Sequence, residues 1–134
     1  MSEVKRVYIA ASFEQKDTVK QAYELFTKHG YAITADWTLH KDIVSLPTKL
    51  EQEELAKQYA IEDTDGVSTA EVFILLLGNR KSTGAHIELG IALGAKIPYI
   101  FVVSDRLNNQ LFYRHPSVKH LQTIEEILEI LNLK

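Results

Sequence analysis

Two apolar runs, Val72-Phe73-Ile74-Leu75-Leu76-Leu77 and Ile97-Pro98-Tyr99-Ile100-Phe101-Val102-Val103, bracket the middle of the chain. Unbroken runs of this kind are the pattern of strands covered on both faces, as in a parallel sheet. Between them lies Ser82-Thr83-Gly84-Ala85-His86-Ile87-Glu88-Leu89-Gly90-Ile91-Ala92-Leu93-Gly94, a polar start followed by a helical pattern. Strand, loop, helix and strand make a βαβ unit. The alternation extends outwards. Val4 to Ala11 predicts a first strand, and Glu14 to His29 a helix with Val19, Ala22, Tyr23 and Phe26 at helical spacing, closed by Gly30. Tyr31 to Asp36 predicts a second strand, and Leu39 to Ser45 an irregular link. Pro47, suited to a first turn, opens a helix running to Asp63 or slightly beyond. After the fourth strand, Ser104 to His115 is polar and irregular, although Leu107, Leu111, Phe112 and Tyr113 are too apolar for a purely solvated loop. Val118 to Leu121 predicts a short fifth strand. Thr123 caps a last helix that carries Glu125 and Glu126 in its first turn.

Strands and helices in this order predict an α/β fold: one domain over residues 1–134, built on a five-stranded parallel sheet with helices on both faces. Right-handed crossovers favour the flavodoxin- or Rossmann-like order 2-1-3-4-5, whose switch point falls between strands one and three. The loops after those strands, Ala11-Ser12-Phe13 and Gly78 to Thr83, then flank one crevice. Tyr8 on strand one and Glu88 on the following helix converge on it.

Composition narrows the function. The 134 residues carry a net charge of −3 with no basic stripe, which argues against nucleic acid or a membrane surface as partner. No apolar run approaches the roughly 20 residues of a membrane span. The N-terminal residues lack the apolar region of a signal peptide, so a cytoplasmic location is expected. With no cysteine, and five histidines without ligand spacing, neither a metal nor another cofactor is expected. No Gly-x-Gly-x-x-Gly follows strand one, so a dinucleotide fingerprint is missing.

The remaining chemistry is that of carboxylates. A glutamate near a helix N-terminus is favoured as the anion, and an ionised carboxylate in a crevice suits attack on a carbon that develops positive charge, as in glycosidic cleavage. Complementing the helix dipole would also account for Glu88. A second carboxylate could serve proton traffic. Asp63 and Asp65 both stand where the long helix is expected to end, and turn formation explains either. Ser82-Thr83-Gly84 combines a capping hydroxyl, free N–H groups and a glycine that permits close approach, with Arg80 and Lys81 adjacent. That is an anion-binding arrangement or simply a cap. Trp37, at the end of strand two, could stack on a base or pack in the core.

Over nearly its whole length the chain resembles the nucleoside 2-deoxyribosyltransferase family, which includes the 2′-deoxynucleoside 5′-phosphate N-hydrolases. The resemblance rests on Val7-Tyr8-Ile9-Ala10-Ala11-Ser12, on Asp63 with Gly66-Val67 and Ala70-Glu71-Val72, and above all on Gly84-Ala85-His86-Ile87-Glu88-Leu89-Gly90-Ile91-Ala92. It implies that Glu88 is the nucleophile, Asp63 the catalytic aspartate and Tyr8 the tyrosine that supports Glu88. Position 82 is implied to bind the sugar's 5′ end. Transferases tend to carry aspartate there and the nucleotide hydrolases serine, so Ser82 favours a 5′-monophosphate. In place of those hydrolases' glycine-rich basic turn after strand one stands Ala11-Ser12-Phe13-Glu14-Gln15.

The expected activity is cleavage of the N-glycosidic bond of a (deoxy)nucleoside 5′-monophosphate or nucleoside. Glu88, Asp63 and Tyr8 are its catalytic residues, and Ser82, Gly84, Ser12 and Trp37 its substrate-binding ones. Rival readings are base exchange between free deoxynucleosides, cleavage of an NAD-type substrate, and an inactive nucleotide-binding module. The resemblance also implies a homodimer or higher homo-oligomer with shared sites, to which Asn108, Asn109, Tyr113 and Arg114 are candidates to contribute.

Overall fold

The computed structural model describes residues 5–105 and 110–131. Val4, Leu107, Asn108 and Asn109 lie outside them. Five strands, β1 (Lys5–Ala10), β2 (Tyr31–Ile33), β3 (Val72–Leu76), β4 (Tyr99–Val103) and β5 (Val118–Leu121), form one parallel sheet in the order β2-β1-β3-β4-β5. The expected topology holds. In the centre, Tyr8 is in register with Phe73, Ala10 with Leu75 and Ile74 with Phe101, and all of them are buried. Helices α1 (Lys16–Lys28) and α4 (Ile124–Ile130) pack on one face, α2 (Lys49–Ser68) and α3 (Thr83–Gly94) on the other.

Ends of elements follow local chemistry. His29 caps α1, and Gly30 takes φ +87°, the left-handed conformation that glycine adopts freely. Thr123 and Glu126 form the reciprocal capping box that opens α4.

Two boundaries differ from expectation, and both bear on the site. Helix α2 starts after Pro47, at a cap made by Thr48 and Glu51, and runs to Ser68. Asp63-Thr64-Asp65-Gly66 is therefore helical and does not form a terminal turn. Gly66 serves close packing: a Cβ there would lie 2.6 Å from the Ala35 Cβ and 3.3 Å from the Tyr8 ring. The last turns of α2 can thus press against β1, which brings Asp63 to the sheet.

The second difference is β2, which stops at Ile33. Beyond it the chain leaves the sheet for a 3-10 turn, Trp37–Leu39, capped by Asp36, whose carboxylate accepts from the Thr38 N–H and hydroxyl. The edge of β1 near its C-terminal end then lacks a strand partner, yet buried backbone groups must be satisfied. Side chains take over. The Tyr23 hydroxyl accepts from the Ile9 N–H at 3.0 Å, and the Trp37 indole donates to the Ile9 carbonyl at 2.7 Å. Of the apolar residues expected to pack from the loop after β4, Tyr113 is buried, while Leu111 and Phe112 are exposed in the turn Leu111–Arg114.

Candidate active site

The order β2-β1-β3 opens a crevice beyond the C-terminal ends of β1 and β3, the usual ligand position in such sheets. Ser82 caps α3 there: its hydroxyl accepts from the Ala85 N–H at 3.1 Å. Glu88 follows later in the same helix, and its Oε2 accepts from the Tyr8 hydroxyl at 2.6 Å. Tyr8 is fully buried and stacks on Phe73, with interplanar angle 4°, so its hydroxyl is aimed by the sheet itself. Burial holds the Tyr8 phenol protonated far above its ordinary range, and the neighbouring Glu88 charge adds to this. It is a fixed donor.

Burial also acts on the carboxylates. It pushes Glu88 up to about 7; the Tyr8 hydrogen bond opposes this, and the Asp63 charge reinforces it. Asp63 is likewise raised by burial, with His40 pulling it down and Glu62 pushing it up. Its charge is also felt at Tyr8 and Tyr23, so one electrostatic cluster joins β1, α1, α2 and α3. Asp65, by contrast, is exposed. A carboxylate raised towards neutrality by burial and a second carboxylate is the pattern of groups that exchange protons or attack carbon.

Beside this cluster lies a cavity of about 900 Å³ lined by Ser12, Arg80, Lys81, Ser82, His86 and Tyr113, among others. Glu88 is not in its wall; the cavity reaches α3 at Ser82, Ala85 and His86, just before it. His86 was not singled out by the sequence. Its Nδ1 donates to the Ser82 carbonyl at 2.7 Å, so Nε2 of the neutral ring accepts from the Tyr113 hydroxyl at 2.5 Å. That pair ties the turn after β4 to the start of α3. Ser12 is buried in the cavity wall, and its N–H and hydroxyl both donate to Gln15 Oε1. Arg80 reaches across the loops to Glu14 at 3.3 Å.

Two expected binding residues stand elsewhere. Gly84 is exposed and absent from the cavity wall, and a Cβ there would meet nothing within 4 Å, so no close approach requires glycine. Trp37 is buried, with its N–H committed to Ile9 and Phe13 tilted against it. Its ring supports the end of β1 and is not free at the rim. Arg114 is exposed and donates to the Gln110 carbonyl. Among the described residues, no cluster of three or more His, Asp or Glu could hold a metal ion.

The sequence also passed over His40. It stacks on Tyr59 and lies 3.6 Å from Asp63. Tyr59 and Asp63 are four residues apart on α2, a spacing that places them on one face and was legible in the pattern.

A family model described as nucleoside 2-deoxyribosyltransferase matches residues 7–125. Among solved structures, the CMP N-glycosidase BcmB of Clostridium botulinum superposes with a TM-score of 0.65 at 20% identity, covering 96% of this chain and all of that one. The 2-deoxyribosyltransferase of Bacillus psychrosaccharolyticus superposes with a TM-score of 0.67 at 15% identity, covering 91% of this chain and 89% of its own. No curated protein sequence matches. At these identities the structures speak for the fold, and the family model, spanning most of the chain, decides membership. The chain belongs to the nucleoside 2-deoxyribosyltransferase family.

Proposed function

We propose that this protein cleaves the N-glycosidic bond of a deoxynucleoside 5′-monophosphate through a covalent intermediate on Glu88. The observation that carries this reading is the 2.6 Å hydrogen bond from a fully buried tyrosine to Glu88, which aims one carboxylate oxygen and leaves the other for substrate.

In the first step a Glu88 oxygen bonds to C1′ as the C1′–N bond breaks. The bonding pair leaves with the base, which takes a proton from Asp63. In the second, water attacks C1′, the bond to Glu88 breaks, and the Asp63 carboxylate accepts the water proton. Both carboxyl groups end as they began. Tyr8 keeps its proton throughout and holds Glu88 by hydrogen bonding. With a free base in place of water the same site would perform exchange, so hydrolase and transferase differ only in the acceptor.

Ser82, Arg80 and Lys81 in the wall of the adjoining cavity suit a 5′-phosphate. The CMP N-glycosidase fold is consistent with a nucleotide substrate. Glu14 offsets part of the Arg80 charge, which leaves Lys81, Ser82 and the backbone at the start of α3 as the principal phosphate contacts. Ile61 and Ile87, near the two carboxylates in sequence, are 57% and 60% exposed, which fits a homo-oligomer that covers them.

The test is a panel of deoxynucleosides and their 5′-monophosphates, with and without a foreign base, followed by chromatography. The expected result is free base from monophosphates, faster than from nucleosides. A new nucleoside on adding the foreign base would assign exchange instead. Retention of every base would overturn the reading.

A further inference from the structure

His40 follows the Trp37–Leu39 turn, on a segment that no regular strand or helix holds. Its ring nevertheless has a defined place. It lies face to face on Tyr59, with centroids 3.7 Å apart and planes 2° from parallel. The Tyr59 hydroxyl accepts from the Lys41 N–H at 2.8 Å, so the residue after His40 is tied to the same side chain that stacks on it. Tyr59 lies one helical turn before Asp63 and faces the same way. Stack and tie together point Nε2 of His40 at Asp63 Oδ1, 3.6 Å away. Both side chains are largely enclosed, at 18% and 22% exposure.

Asp63 Oδ1 is itself buried and accepts no hydrogen bond from any of the described residues. Such an oxygen calls for a physical explanation. An imidazole held just beyond hydrogen-bonding distance supplies one, because a small rotation closes the contact when the carboxylate is charged. A clasp for the 37–42 segment alone would need the stack on Tyr59 but would not need Nε2 turned towards the carboxylate.

We infer that His40 is a positioning residue for Asp63, fixing its orientation and setting the pH range over which it holds the proton destined for the departing base. The inference rests on the reading of Asp63 as that proton donor. The groups facing Asp63 are His40 from the segment after β2, Tyr59 and Glu62 on α2, Tyr8 on β1, Tyr23 on α1 and Glu88 on α3. Of these only His40 can be positive. A protonated ring favours the Asp63 carboxylate, and its removal lets Asp63 keep a proton to higher pH.

The experiment compares pH profiles of kcat/KM for wild type, His40→Gln, Tyr59→Leu and Asp63→Asn. Two deoxyribosyl substrates are used: one with an ordinary nucleobase, one with p-nitrophenolate, which departs without a proton. For the ordinary base, His40→Gln is expected to lose about ten- to a hundredfold and to move the profile upwards by roughly one pH unit. Tyr59→Leu, which removes the stack but no charge, is expected to reproduce the loss in rate. With p-nitrophenolate, His40→Gln and Tyr59→Leu should stay near wild type. Equal losses on both substrates with an unmoved profile would make His40 a mere clasp and overturn the inference. An Asp63→Asn variant at full activity on the ordinary base would overturn the inference together with the reading of Asp63, whereas a crippled Asp63→Asn beside an unaffected His40→Gln would overturn the inference alone.

Discussion

The Tyr8 hydroxyl and the Glu88 carboxylate meet at 2.6 Å although 80 residues separate them in the chain. The sheet positions the phenol and α3 positions the acid, so neither has to be ordered when substrate arrives. Removing the hydroxyl with Tyr8→Phe leaves the ring stacked on Phe73 but deletes the interaction that lowers the Glu88 pKa. The carboxylate should then titrate above its present value of about 7. With a hydrogen bond to a charged group contributing about 1.5–3 kcal/mol, kcat/KM at pH 6 should fall ten- to a hundredfold. The loss should shrink above about pH 9, where Glu88 is ionised in the variant as well. A pH-independent loss would mean that Tyr8 acts by another route.

Glu88 itself should weaken the fold at neutral pH. Its folded pKa of about 7 is raised from an ordinary 4.5. The folded state therefore binds the proton more tightly than the unfolded state. Relative stability from this group is complete below about pH 4.5 and is lost as pH rises through 7. Glu88→Gln removes the titration and keeps an acceptor for Tyr8. The variant should match wild type near pH 4 and exceed it at pH 8 by on the order of 2–3 kcal/mol. Chemical denaturation at the two pH values checks this.

Ser82→Asp separates the two substrate classes. Aspartate caps helices as well as serine does, so stability should change little. Its charge would oppose a 5′-phosphate but not a free 5′-hydroxyl. The variant should raise KM for a monophosphate by about tenfold or more while sparing the free nucleoside. Equal effects on both would remove Ser82 from phosphate recognition.

Trp37→Phe probes the end of β1. The change leaves the buried Ile9 carbonyl, now satisfied by Trp37 at 2.7 Å, with only the Tyr23 hydroxyl at 3.5 Å, and should cost about 1 kcal/mol or more. A thermal melt should show the loss while KM for substrate holds within about twofold. A stable variant with a raised KM would instead return Trp37 to the role of stacking on a base.

The sheet was legible because its central strands are unbroken apolar runs and its crossovers admit few orders. Glu88 stood out because a helix start facing the switch point is where chemistry concentrates. What escaped prediction depends on side chains replacing backbone partners. The early end of β2 becomes intelligible only once Tyr23 and Trp37 are seen to satisfy Ile9. Asp63 could not be separated from Asp65 by pattern alone, because Gly66 looked like a helix stop. Its use for close packing against Ala35 and Tyr8 is a tertiary fact. His40 escaped for a similar reason: its partners, Tyr59 and Asp63, lie far along the chain and act through a ring stack that leaves no local signature.

The central claim is that Glu88 carries the glycosidic step, and base release by Glu88→Gln tests it most directly. With a deoxynucleoside monophosphate at pH 8, where the variant is folded, release should fall by about a thousandfold or more relative to wild type. A variant that releases base at the wild-type rate would contradict the account.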